Sequence, residues 1–322
     1  MRIGISTHRV RVIALVGAFF FGALVAAQGR VNGELAGFAG SGVEAAVISF
    51  GSGFVILSIM ALLSGKVRAG IWRIVAELRV GSFPRWQVLG GVLGGFFVGV
   101  QTSSVPVIGV ALFTVTVVAG QIVNSIVVDR VGLSPAGVVR ITPVRLLSAF
   151  IAILGVVIAA SNRFNGTGFE ILPIILALTA GAGIAVQQAI NGRLGITARN
   201  SFSAAWFNFV FGTTALGVAF VILILGSETR VESASGAPWW AYSGGVLGVI
   251  FIAMAVWAVP RIGVLLFALI SISGQLSGAV MLDIVAPTDG TELGAQLFIG
   301  IGLTFVAIAL STVPRLVGSW SR

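Results

Sequence analysis

Gln28 and Asn32 stand one helical turn apart and so share a face. The motif Gln28-x3-Asn32-Gly33-x-Leu35 returns as Gln187-x3-Asn191-Gly192-x-Leu194, 159 residues later. A carboxamide carries two donors and an acceptor but moves no protons near neutral pH. Set in an apolar helix it must find partners, so its chemistry is recognition. A second pair, Gln121 and Gln275, follows a glycine each time inside an apolar run, with Asn124 close after the first. Asn208 falls in another apolar run and aligns with Ser49. Gln28, Gln187, Gln121, Gln275, Asn124 and Asn208 are therefore the candidate substrate-binding residues. Asn32 and Asn191 are expected either to gate a pathway or to cap a helix, because Asn-Gly suits the turn at a helix end.

Carboxylates are few. Asp129 and Asp283 recur as a pair 154 residues apart and are expected at solvated helix ends, where a charge is cheap. Glu44 has Ser203 at its repeat position and is a candidate proton carrier, since acids inside a membrane segment are usually functional. There is no cysteine, and the single histidine is His8. No HExxH, phosphate-binding loop or paired acid is present, so no catalytic residue, metal site or cofactor is expected, and the chain does not read as an enzyme.

The segments that must position these amides are hydrophobic. Of 322 residues 57% are hydrophobic and only 9% charged, and the mean hydropathy is +1.09. Soluble domains carry about 25% charged residues, so the solvent for this surface is lipid. Ten stretches approach the length of a membrane helix, about 20 apolar residues: roughly 12–31, 43–64, 87–105, 108–128, 145–161, 170–190, 203–225, 239–259, 262–284 and 293–313. Pro106 and Pro260 are expected to divide two double-length runs. Arg145, at the start of the short fifth span, is expected to snorkel to the interface. Arg2, Arg9 and Arg11 before an apolar run, with Val25-Ala26-Ala27 after it, resemble a signal peptide. The repeat-matched motif just beyond argues that this segment is retained.

From 86 to 129 the chain matches 240 to 283 without a gap, with 17 of 44 positions identical. Trp86-x3-Gly90-Gly91-Val92-Leu93-Gly94 becomes Trp240-x3-Gly244-Gly245-Val246-Leu247-Gly248. Pro106-x-Ile108-Gly109 becomes Pro260-x-Ile262-Gly263. The chain thus reads as two five-helix units, residues 1–161 and 162–322. With the N-terminus in the cytoplasm, 16 of the 19 basic residues lie on the cytoplasmic side, as the positive-inside rule requires. Both termini are then cytoplasmic. An odd number of spans per unit inverts the second unit relative to the first. The expected fold is an all-α integral membrane protein of ten transmembrane helices in two inverted repeats. The glycines at 90, 91, 94, 95 and 99 are read as close-packing positions. Trp86, Trp239, Trp240 and Tyr242 are read as an interfacial belt, and Trp206 and Trp257 as cavity candidates. Ile71, Ile74, Val75 and Leu78 suggest an amphipathic helix on the inner leaflet. The segment 226–238 reads as a flexible external loop.

These motifs together resemble the YdcZ-like family of the drug/metabolite transporter (DMT, EamA-like) superfamily in its fused two-half form. The resemblance rests on the two Gln-x3-Asn-Gly-x-Leu motifs, the Pro-x-Ile-Gly turns at 106 and 260, and the Gly-Gln pairs at 120 and 274. It implies an exporter of the bacterial inner membrane, multi-pass, without an assigned substrate. Small multidrug resistance proteins, better-known relatives, carry a glutamate in the first helix for proton exchange. Val12 to Ala27 has no acid, so that mechanism is not carried over, and a neutral, zwitterionic or amphipathic substrate is favoured. The function expected is a secondary transporter exporting a small metabolite or amphipathic compound by alternating access. A non-transporting membrane scaffold is the alternative, with a lipid-modifying enzyme third. Expected partners are the lipid bilayer and a small-molecule substrate, not nucleic acid; a homodimer is left open.

Overall fold

The computed structural model describes residues 3–133, 135, 137–161, 171–226, 236–262, 264–288 and 291–318. The helices in chain order are α1 (Ile3–Ala39), α2 (Gly42–Leu63), α3 (Gly65–Val80), α4 (Gly90–Ile108), α5 (Val110–Arg130), α6 (Pro143–Ala159), α7 (Ile171–Ala198), α8 (Ser201–Gly226), α9 (Gly244–Ile262), α10 (Val264–Val285) and α11 (Ala295–Gly318). Among the described residues there is no strand. Among the described residues seven helical segments are long and apolar enough to cross a membrane; three more, Pro143–Ala159, Trp239–Phe251 and Ala295–Leu310, are apolar but shorter. Much of the anticipated loop 226–238 lies outside the described residues.

Local chemistry sets several boundaries. Ser41 caps α2, its Oγ accepting from the Glu44 N–H at 3.4 Å. Thr142 and Pro143 start α6 with a hydroxyl cap and a proline at the first turn. Short 3-10 turns, Arg85–Leu89 and Trp239–Ser243, lead into α4 and α9 at matching repeat positions. Trp86 and Trp239 there are exposed. The break between α4 and α5 is not at Pro106, which sits inside the last turn of α4, but at Gly109, whose φ is +77°. That value suits glycine because it has no Cβ.

The helices pack in reciprocal pairs. α1 lies against α10 and α9, while α7 lies against α5 and α4; α4 crosses α8 where α9 crosses α2; α2 meets α8, and α6 meets α11. Small residues let these backbones close up. A Cβ on Gly22 of α1 would fall 1.9 Å from the Ser271 carbonyl oxygen of α10, and one on Gly181 of α7 would fall 2.1 Å from that of Val117 of α5. Both members of each comparison are repeat-matched in sequence. The largest core cluster centres on α5, where Val110 through Ala119 are all buried.

Two expectations about charged and amphipathic segments change. The apolar stripe of α3 does not face the leaflet: Ile74 is fully buried, with Ile71, Val75 and Leu78 beside it, against Ile190 and Leu194 of α7 and Ala204 and Phe207 of α8. The Arg73 guanidinium adds a hydrogen bond to the Ala198 carbonyl, 3.0 Å. An apolar face seeks any apolar partner, and here the protein supplies it. Arg145 does not snorkel. It is buried, and its Nη2 meets the Asp129 carboxylate at 2.6 Å. Asp129 and Asp283 are likewise buried rather than solvated; their partners make burial tolerable.

Candidate functional site

Gln28 and Asn32 project from α1 toward different helices. The Gln28 side chain donates from Nε2 to the Gly244 carbonyl at the start of α9, 2.9 Å. Asn32, fully buried, donates from Nδ2 to Oε1 of Gln101 on α4, 3.1 Å. Its own Oδ1 has no partner. On α7 the matching Gln187 donates to Oδ1 of Asn208 on α8 at 2.6 Å, and Asn191 also keeps an unpartnered Oδ1. Neither asparagine is a cap. α1 runs on to Ala39 and α7 to Ala198, because tertiary packing overrides the tendency of Asn-Gly to end a helix.

Glycines opposite these amides make their room. A Cβ at Gly94 on α4 would lie 2.2 Å from the Gln187 Nε2, and one at Gly248 on α9 would lie 3.1 Å from the Gln28 Nε2. Close to both sits an aromatic pair, Phe50 of α2 and Phe209 of α8, with ring centroids 4.8 Å apart. Each ring covers a glycine of the opposite helix: a Cβ on Gly212 would fall 2.3 Å from Phe50, and one on Gly53 would fall 2.3 Å from Phe209. Phe50 and Phe209, like Gly53 and Gly212, are 159 residues apart. The arrangement is two polar clusters flanking a ring pair, with no side chain suited to bond-making. What it offers is hydrogen bonding and ring contact across glycine faces that let the helices approach closely.

The remaining candidates are dispersed. Asn124 on α5 donates to the Ala182 carbonyl of α7, 2.7 Å. Gln121 on α5 and Gln275 on α10 are half-buried, and neither has a hydrogen bond among the described residues. Glu44 lies in the first turn of α2 with Oε2 buried and unpartnered. Trp206 packs on Phe54 and donates to the Ser58 hydroxyl, 3.1 Å. Trp257 lines an apolar groove of about 550 Å³ with Val12, Val16, Phe21 and Met254. Gln101, Phe50 and Phe209 escaped the sequence reading. Gln101 aligns with Ala255, so the repeat hides it, whereas the two phenylalanines align with each other and could have been found that way. Among the described residues no group of three His, Cys, Asp or Glu could hold a metal.

The pattern of a family described as "putative inner membrane exporter, YdcZ" matches residues 13–158 and again residues 172–310. A comparison with curated proteins found no match. The helices long and apolar enough to cross a membrane agree with a multi-pass protein of the inner membrane. With nearly its whole length covered by two successive matches, the chain belongs to the YdcZ family of inner membrane exporters within the drug/metabolite transporters.

Proposed function

We propose that this exporter works by alternating access between two inverted five-helix halves, residues 1–161 and 162–322. Ten helices cross the membrane and both termini are cytoplasmic. The observation that carries the reading is reciprocity around the Phe50–Phe209 pair. A Cβ on Gly91 would strike the Asn208 carbonyl oxygen at 2.1 Å, and one on Gly245 the Ser49 carbonyl oxygen at 2.4 Å. Gln28 faces Gly248 just as Gln187 faces Gly94. Two such equivalent clusters give the equivalent inward and outward gates that alternating access needs. Gln28, Gln187, Gln121, Gln275, Asn124 and Asn208 bind a neutral, zwitterionic or amphipathic solute. Asn32 and Asn191 tune the gates, and Glu44 is the candidate for proton coupling.

A thermal-shift screen of purified protein against metabolites supplies a substrate for flux in proteoliposomes. Gln121→Leu and Gln275→Leu are each expected to abolish that flux while leaving membrane insertion intact. Wild-type flux in both variants removes the two residues from the site. Topology is testable because the chain has no cysteine. Ser6→Cys and Ser321→Cys, made singly, should react with an impermeant maleimide only in inside-out vesicles. Labelling from opposite sides would end the inverted-repeat reading.

A further inference from the structure

We infer that a cavity between the far ends of α1, α4 and α10 binds a small zwitterion, its anionic end on Arg30 and its ammonium on Glu34; this rests on the exporter reading above. The cavity is an open cleft of about 400 Å³, with Arg30, Glu34, Phe38, Pro106, Pro287 and Thr288 in its wall. That volume falls among small-molecule sites, about 300–1,000 Å³.

The charge pair here is not an ordinary solvated i,i+4 bridge. Its side chains are only 20% and 29% exposed. Arg30 is fixed from two directions: Nη1 donates to Glu34 Oε2 at 2.5 Å, and Nε crosses to the Ala286 carbonyl beyond the end of α10 at 3.2 Å. Its Nη2 and the Glu34 Oε1 carry no hydrogen bond among the described residues. One fixed donor and one fixed acceptor thus lie on adjacent turns of one helix. Charge-assisted hydrogen bonds to both are strong and directional. A lone anion would meet the Glu34 charge, and a lone cation would meet Arg30. A molecule carrying both charges a few bonds apart meets neither conflict. Phe38, Pro106 and Pro287 offer its hydrocarbon an apolar wall. Thr288 is steadied through its hydroxyl, 3.0 Å from that of Thr291.

The feature belongs to one mouth only. The repeat positions of Arg30 and Glu34 are Ala189 and Arg193, and Arg193 instead donates to the Gly132 carbonyl, 2.6 Å. On the orientation proposed above, the paired charges stand at the outer mouth. The same chemistry is presented by a free α-amino acid and by a phosphatidylethanolamine headgroup.

The test is calorimetric titration of the full-length protein in phosphatidylglycerol nanodiscs with three matched probes. L-valine carries both charges, isovalerate only the carboxylate and isobutylamine only the ammonium. L-valine should bind at least about tenfold tighter than either, the factor that a single strong polar contact supplies. Arg30→Gln and Glu34→Gln should each remove about that factor. In phosphatidylethanolamine nanodiscs an unchanged valine affinity supports the free solute as occupant, and a weakened affinity restored by diluting that lipid supports the headgroup. Isovalerate or isobutylamine binding as tightly as valine overturns the proposal, and so does the absence of valine binding in phosphatidylglycerol. Because those readings use the unaltered protein, they stand even where a variant misfolds. Valine binding unaffected by both folded variants overturns the location. Flux that depends on Gln121 while valine does not bind sinks this site and leaves the exporter reading standing. Valine binding with no flux of any identified ligand does the reverse.

Discussion

Asp129 and Asp283 hold the same place in the repeated motif, near the C-terminal ends of α5 and α10, and each is buried against donors from beyond its own helix. Asp129 meets the guanidinium of Arg145 in the first turn of α6, 16 residues along the chain. Asp283 reaches across to the start of α5 and accepts from the backbone N–H groups of Val110, 3.1 Å, and Ala111, 2.7 Å. The last turn of a helix is a poor place for an anion, because the carbonyl end of the dipole is negative. Each aspartate therefore needs a donor from outside its own helix. For Asp129 such donors include a guanidinium of the next helix, and for Asp283 they include the positive end of α5 and the Thr291 hydroxyl. The duplicated motif preserves a demand for donors from outside the helix, and in the first half the ion pair with Arg145 helps to meet it.

The comparison predicts its own ranking under mutation. Arg145→Met leaves a buried carboxylate without its cation, and breaking a buried pair on one side costs about 3–5 kcal/mol. The measurement is reversible unfolding in detergent micelles. Arg145→Met combined with Asp129→Leu should recover most of the loss, because the stranded charge is gone. A double variant as unstable as the single would show that Arg145 acts by packing alone.

Asp283→Ala should cost less, about 2 kcal/mol, within the range for leaving buried donors unsatisfied. The two N–H groups sit in the first turn of α5, where such groups lack intrahelical partners anyway. Gly109 packs against this junction, a Cβ there falling 3.1 Å from Asp283 Oδ2, so the α4–α5 turn should loosen as well. Hydrogen exchange at Val110 and Ala111 reads the effect locally. Asp283→Ala destabilising more than Arg145→Met would invert the ranking and refute the charge argument.

What could be read from the chain before its structure follows from what sequence encodes locally. Apolar runs marked the helices, and matched motifs at offsets of 154 and 159 paired their amides, since identity at fixed spacing needs no depth information. Depth itself is missing from sequence. Asp129, Asp283 and Arg145 lie near predicted span ends and so looked wet, but lateral packing of α5, α6 and α10 buries all three. The stripe on α3 showed amphipathicity and could not tell lipid from the surfaces of α7 and α8. Asn32-Gly33 looked like a stop signal, though buried contacts to α4 and α9 carry the helix past it. Phe50 and Phe209 were plain in the alignment, but a phenylalanine in an apolar helix announces nothing until a second ring is found 4.8 Å away.

The smallest expected effects separate the two amide clusters. Gln187→Leu strips the partner from the buried Oδ1 of Asn208, a side-chain acceptor with no helical bond of its own. Gln28→Leu strips it from the Gly244 carbonyl, which lies in the backbone ladder of α9. Polar contacts between membrane helices average about 0.6 kcal/mol and reach about 1.7, so Gln187→Leu belongs at the upper end and Gln28→Leu at or below the mean. A double-mutant cycle with Asn208→Leu should return a coupling of about 1 kcal/mol for Gln187 and none for Gln28, which touches no part of that pair. Flux should obey a different rule. If the clusters are equivalent gates, both leucine variants abolish transport despite their unequal costs in stability. Loss of flux in proportion to lost stability would reduce both glutamines to helix-packing contacts.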